Sequence, residues 1–368
     1  MRLLRHQMVS SNSSTSKTKF KKGAPMKILL ITDAWEPQIN GVVVTVRNLC
    51  KALREEGHEL LILHPKMFWG FTLPRTAGIK VVWPHLVKKI SLFKPDAVHI
   101  FTEGPLGLRG RSACEKLRIP YTTGYHTQFA PILQAWYGVP QSWTKAYIRW
   151  FHKHSKGVLL PTPSVGLELT ADGIVEEARI KIWGRGIDST IFWPPAWRRS
   201  SEHIDGKKLL CVSRVDPEKS LDDFCALSNA GYECTLVGGG VSLPRLKHIY
   251  PKVHFSGPLP PEEVAQHMRK HDLFVFPSKN DTFGLVMLEA NSCGLPVVAY
   301  PVTGPKDWVQ KGVNGLLAKD TTYSALRIAV LIALAECSPK GAISKADGYS
   351  WKKSAHEFLS YLHPVDKE

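Results

Sequence analysis

The sequence predicts an α/β protein of two doubly wound units, each with a parallel sheet, facing one another across a central cleft. Three observations carry this. Short runs rich in Ile, Val and Leu alternate with helical patterns along most of the 368 residues. The runs lack a polar alternation, which marks strands covered on both faces and therefore parallel. A Pro-, Arg- and Ser-rich break at 193–207 separates two such halves.

Residues 1–25 are Ser/Lys-rich, hold six of the net +16 charges and leave +10 for the rest. They lack periodic apolar residues and are expected to be disordered. The folded part is expected to begin at Met26 with the run MKILLITDAW. The first domain is expected over 26–195. Its strands are read at Lys27–Thr32, Glu59–His64, Lys80–Trp83, Asp96–Phe101, Ile119–Thr123, Gly157–Pro161 and Lys181–Trp183. Helical patterns at Val42–Glu56 and Pro105–Leu117 lie between them. The segment 193–207 reads as a linker. The second domain, 196–350, restarts the alternation at Lys208–Ser213, Glu233–Val237, Val253–Ser256, Leu273–Pro277 and Pro296–Tyr300. A final segment, 351–368, holds one more helical pattern, Trp351–Leu362.

Composition excludes some functions. No apolar run is long enough to span a bilayer, and no secretory signal pattern occurs. The seven cysteines have no spacing typical of zinc or redox motifs, which reads as a reduced, cytosolic chain. The basic balance favours an anionic partner: nucleotide, anionic lipid or nucleic acid. No helix-turn-helix, zinc-finger or stacking-sheet motif supports the last of these.

Two segments carry candidate chemistry. The first, Val212-Ser213-Arg214-Val215-Asp216-Pro217-Glu218-Lys219, runs from a strand end into a turn and helix. Arg214 and Lys219 there suit a diphosphate, by planar two-point contacts and by point charge respectively. Taken alone, they read rather as two solvated surface cations at a turn. The second runs from Pro277 to Glu289. A helix is expected from near Thr282, with free amides at Phe283, Gly284 and Leu285 forming an anion site. Asp281 is placed to cap it, and Glu289 lies about two turns further on, on a partly buried face.

Together these segments resemble glycosyltransferase family four over residues 26 to about 360. The Asp281-x7-Glu289 spacing around Thr-Phe-Gly-Leu-Val is similar to the family's acid-x7-acid motif, with Asp where Glu is commoner. The resemblance implies the GT-B fold of two facing Rossmann-like domains and a retaining hexosyl transfer from a nucleotide-sugar. It implies that Arg214 and Lys219 bind the diphosphate. The amides of Phe283, Gly284 and Leu285 would contact sugar and phosphate, and Glu289 the ribose. Gly41 resembles the small residue that lets a loop approach the donor, and His126 the histidine beside the transferring sugar. Gly184-Arg185-Gly186-Ile187-Asp188 resembles the family's domain-crossing turn, which implies that Arg185 would add to the diphosphate site. His126, Arg214, Lys219 and Asp281 are the expected catalytic group. No Asp-x-Asp motif occurs in the cleft segments, so neither metal nor cofactor is expected.

The stretches at Thr102–Gly107 and Tyr300–Pro305 are similar to the subgroup that glycosylates diacylglycerol and other membrane lipids. Glu103 is expected to face the cleft, and Phe68 and Trp69 to line a lipid groove. Trp143, Tyr147, Trp150 and Phe151 fall at helical spacing among Lys and Arg. That pattern suits an anionic membrane surface, or equally a helix packed on a core. The expected location is the inner face of the cytoplasmic membrane, as a peripheral protein. A soluble family member acting on a sugar or polyol is the nearest rival; a nucleotide-sugar epimerase and a basic nucleic-acid-binding protein stand further off.

Overall fold

The computed structural model describes residues 24–38, 40–72, 80–82, 85–200 and 206–366. The expected disordered tail therefore lies, but for its last two residues, outside the described residues. The strands are β1 (Lys27–Ile31), β2 (Glu59–Leu63), β3 (Gly70–Thr72), β4 (Lys80–Val82), β5 (Ala97–Ile100), β6 (Thr122–Gly124), β7 (Val158–Leu160) and β8 (Ile180–Ile182). After the break come β9 (Lys208–Val212), β10 (Glu233–Val237), β11 (His254–Gly257), β12 (Leu273–Phe276), β13 (Val297–Ala299) and β14 (Gly315–Leu317).

They form two six-stranded sheets, ordered β2-β1-β5-β6-β7-β8 and β11-β10-β9-β12-β13-β14. Every pairing within them is parallel. The apolar runs explain this: Ile28, Leu29, Leu30 and Ile31 are all fully buried, because helices cover both faces. In each sheet the strand order reverses beside the first strand, β1 or β9. The crevice for a ligand opens at the carboxyl ends of strands flanking such a reversal. Here those are the ends of β1 and β5 in one domain and of β9 and β12 in the other.

Two expectations are corrected. The run at Lys80–Trp83 does not join the main sheet. Lys80–Val82 pairs antiparallel with β3 as a separate hairpin, and Trp83 lies outside the described residues. The stretch 193–207 is not a loose linker either. Ala196–Ser200 is a short helix whose Arg198 is buried against the second domain. Its guanidinium donates to the carbonyls of Met268 (2.9 Å), Cys293 (3.0 Å) and His271. Polar composition hid this, because an Arg stem buries well once its head finds carbonyls. Residues 201–205 of the stretch are outside the described ones.

The helix Trp351–Tyr361 returns to the first domain. Trp183 Nε1 donates to the Ser354 carbonyl at 3.0 Å, and the Gly184 amide to Glu357 at 2.7 Å. Gly186 is required here: a Cβ would sit 2.3 Å from the Trp351 nitrogen. Phe358 packs with Phe101 and Trp183. All seven cysteines are buried and unpaired. No helix among the described residues is long and apolar enough to cross a membrane.

Candidate active site

The loop after β9 holds the first cluster. Pro217–Lys219 form one 3-10 turn, and Ser220 in the left-handed region redirects the chain into the helix Leu221–Cys225. Lys219 Nζ reaches across to β12's loop, 3.2 Å from Asp281 Oδ2 and 3.3 Å from Ser278 Oγ. Arg214 differs from expectation. Its guanidinium is held by Asp216 (2.5 Å) and Glu218 (2.8 Å), so it is a paired cation in this state. Both acids lie in the same motif, at i+2 and i+4 from Arg214. The β10 loop closes on the same place: a Cβ on Gly240 would meet the Val215 carbonyl at 2.4 Å.

The loop after β12 supplies the second cluster, and here the helix begins three residues later than expected, at Leu285. Gly284 at φ +75° turns the chain into it. Asp281 Oδ1 accepts the Phe283 amide at 3.1 Å, closing a local turn. The Phe283 amide is therefore used internally, and Asp281 is no helix cap. The amides of Gly284 and Leu285 have no backbone acceptor among the described residues, so the anion site narrows to these two. Glu289 follows Leu285 by one turn on the same helix face. It has no side-chain partner among the described residues, and burial raises its carboxyl to about 7.

From the first domain, Asn40 caps the helix Gly41–Glu55 by accepting the amides of Val42 and Val43, both at 3.0 Å. Gly41, the first residue of that helix, is exposed, and a Cβ there would meet nothing. Its small size is thus not needed for packing within the chain. Asp33, which sequence reasoning missed, sits buried at the end of β1. It accepts the Leu106 and Gly107 amides at 2.7 and 3.0 Å and the Thr102 hydroxyl at 2.7 Å. It thereby ties the β1 loop to the start of the helix Pro105–Lys116.

His126 and Arg185 meet in the interior. Arg185 donates to His126 Nδ1 at 3.1 Å and to the Trp183 carbonyl at 3.0 Å. Arg has donors only, so Nδ1 must accept and the ring proton lies on Nε2. That nitrogen has no partner among the described residues, and burial with the neighbouring Arg185 holds the imidazole neutral, well below its ordinary pKa. Arg185 is itself buried and, among the described residues, hydrogen-bonds no carboxylate; burial lowers it to about 9, partly offset by the charge of Glu357. A buried cation without a paired acid favours an anion beside it. Its guanidinium also lies 6.0 Å from the Phe283 ring of the other domain.

The domains touch at Thr282. Its hydroxyl donates to the His126 carbonyl at 2.8 Å, and its carbonyl accepts Thr162 at 3.1 Å. So the structure brings together Lys219 with Asp281, His126 with Arg185, and the second pair with the Thr282–Phe283 loop.

Glu103 does not join them, which corrects the expectation that it faces the cleft. Its side chain is buried, 3.3 Å from His152 Nε2. The interior His152 offers a polar partner that the strand-end position alone could not reveal. Phe68 is half-buried and Trp69 is 83% exposed, on the β3 hairpin. On the helix Gln141–His152, Phe151 is core and Tyr147 half-buried, while Trp143 and Trp150 are exposed. The core reading of that helix therefore holds for one face, while the other leaves two indoles exposed, Trp150 with the Arg111 guanidinium 3.9 Å over its ring. Among the described residues no three His, Cys, Asp or Glu side chains are grouped to hold a metal.

Comparison with known proteins agrees with this geometry. The model of Glycosyltransferase Family 4 matches residues 39–190, and that of Glycosyl transferases group 1 matches 206–336. A GDP-mannose-dependent alpha-mannosyltransferase of Mycolicibacterium smegmatis is 28% identical over 92% of this chain and 98% of its own. Sulfoquinovosyl transferase SQD2 of Arabidopsis thaliana is 27% identical (85% and 68%). Alpha-monoglucosyldiacylglycerol synthase of Streptococcus pneumoniae is also 27% identical (75% and 71%). Among solved structures, sucrose-phosphate synthase from Thermosynechococcus elongatus superposes with a TM-score of 0.73 at 19% identity, over 90% of this chain and 97% of that one. Anabaena HepE with UDP and glucose gives 0.68 at 17%, over 90% and 98%. These two show the shared two-domain fold.

Proposed function

This chain is a family-four glycosyltransferase, a hexosyltransferase using a nucleotide-sugar, and from that premise we propose that its acceptor is a membrane lipid such as diacylglycerol. The observation that carries the lipid reading is the exposure of Trp69 (83%) and Trp143 (72%) on the first domain. Exposed indoles set among Lys and Arg suit a headgroup layer. One of the relatives supports the reading by its name: the streptococcal one is a monoglucosyldiacylglycerol synthase. The protein would then act as a peripheral protein on an anionic surface.

The proposed chemistry uses the donor cluster. The nucleotide's ribose hydroxyls donate to Glu289, which has no competing side-chain partner among the described residues. The diphosphate lies at the Gly284 and Leu285 amides, with Lys219 and Arg185 as cations. Arg214 joins by sharing its guanidinium with Asp216 and Glu218. As the bond from the anomeric carbon to the diphosphate oxygen breaks, negative charge grows on that oxygen. Fixed cations and amides stabilise it without reorganisation. The acceptor hydroxyl forms the new bond on the same face, and its proton passes to the departing phosphate. His126, neutral with its proton on Nε2, serves as a hydrogen-bond donor. In this reading protein cations fill the role that a divalent ion fills elsewhere.

Incubation with UDP-glucose, UDP-galactose, UDP-glucuronate and GDP-mannose, each with diacylglycerol vesicles and EDTA, tests the reading. An α-linked glycolipid seen by mass spectrometry and proton NMR is the expected product. A product that forms only after a divalent cation is restored would overturn the metal-independent part.

A further inference from the structure

A cavity of ≈ 390 Å³ lies in the first domain beside the cleft, away from the donor cluster. It is walled by the start of the helix Phe129–Tyr137, the helix Gln141–His152 and the end of the helix Pro163–Ala171. Its floor is apolar: Tyr125, Ala130, Ile148, Leu169 and Ile174 line it and are otherwise buried. Its rim is polar. Lys145 pairs there with Asp172 at 2.8 Å, and Glu168 accepts from Gln128 at 2.9 Å.

An apolar floor under a polar rim is the complement of an amphiphile: a chain below, hydroxyls above. The position fits as well. Gln128 lies two residues beyond His126, and the same amide nitrogen that serves Glu168 also donates to Thr303 of the second domain at 3.0 Å. At the other end, Gln141 lines the cavity two residues before the exposed Trp143. The cavity therefore stands between the indole proposed to enter the headgroup layer and the loop that carries His126.

We propose that this cavity seats one aliphatic chain of the acceptor, with the glyceryl part at the Gln128–Glu168 rim. This rests on the lipid-acceptor reading and adds its chain-binding subsite. A seated chain holds the glyceryl hydroxyl at the cleft while the rest of the lipid stays in the bilayer. It also abuts Gln128, so the first domain's grip on the acceptor is connected to the second domain through Thr303.

The test uses monoacylglycerols of four, eight and twelve carbons, each below its micellar concentration, titrated into the full chain by calorimetry. Affinity is expected to rise with chain length. Ala171 lines the cavity yet is exposed at a helix end, so Ala171→Trp fills the site from the rim with little burden on folding. That variant should bind the twelve-carbon compound at least tenfold more weakly, with an unchanged unfolding temperature; Ala171→Ser should behave as wild type. Affinity independent of chain length, or equal binding by a folded Ala171→Trp protein, would overturn the subsite. Lipid glycosylation is scored separately. Its absence alongside chain-length-dependent binding counts against the acceptor reading alone, and its presence without such binding counts against the cavity alone.

Discussion

Glu289 couples binding and stability to pH. Its carboxyl is raised to about 7 by burial, above the ordinary 4.5. The folded state thus holds the proton more tightly than the unfolded state. The associated stability is full below about 4.5 and is lost as pH rises through 7. Glu289→Gln should therefore stabilise the ligand-free protein at pH 8 by on the order of 2 kcal/mol, and little at pH 5, as urea unfolding will report. Nucleotide binding has the opposite sign. Ribose hydroxyls need the carboxylate, so wild-type affinity should fall as pH drops below about 7, while the Gln variant is weaker and flat. Lys219→Ala should lower kcat by roughly 10²–10³ with the fold intact, since it removes charge facing the leaving group. Sequence made the donor residues legible through their spacing. It could not show that Arg214 is already held by Asp216 and Glu218, or that Asp281 consumes the Phe283 amide. Those contacts depend on side-chain direction, which spacing leaves open.

At the scale of elements, the helix Leu285–Ser292 is aimed by Gly284. An alanine there must hold φ +75°, and its Cβ would lie 2.6 Å from Met287 Cε. Gly284→Ala should cost about 1–2 kcal/mol and weaken nucleotide binding, because the two open amides shift with the turn. Asp33 has a comparable role in the first domain. Asp33→Ala removes the acceptor for two amides at the start of Pro105–Lys116 and should cost roughly 1–2 kcal/mol, measured by thermal unfolding. Most strands were legible because a strand buried on both faces is a continuous apolar run. The exceptions share a cause. Gly70–Thr72 and Gly315–Leu317 are three residues long and begin with glycine, so they present almost no run. Gly315 is nevertheless required, as a Cβ would meet the Val297 carbonyl at 1.9 Å. Asp33 was missed because it reads as the tail of an apolar strand, whereas its partners are about seventy residues away in sequence.

At the scale of the whole molecule, two sheets present their carboxyl ends to one cleft, and Thr282 joins the domains through His126 and Thr162. The C-terminal helix reinforces this by packing Phe358 against Phe101 and Trp183, the same aromatic group that holds His126. The proposed membrane face lies on the first domain alone. Replacing Trp69 and Trp143 together by Ala should reduce sedimentation with anionic vesicles several-fold, with the remaining binding lost at high salt. The most direct measurement is the partition of radiolabelled hexose between organic and aqueous phases after incubation with diacylglycerol vesicles and the nucleotide-sugar panel. Label in the organic phase, lost with Lys219→Ala, is the expected result. Label confined to water-soluble glycosides, with none extracted into the organic phase, would contradict the lipid acceptor.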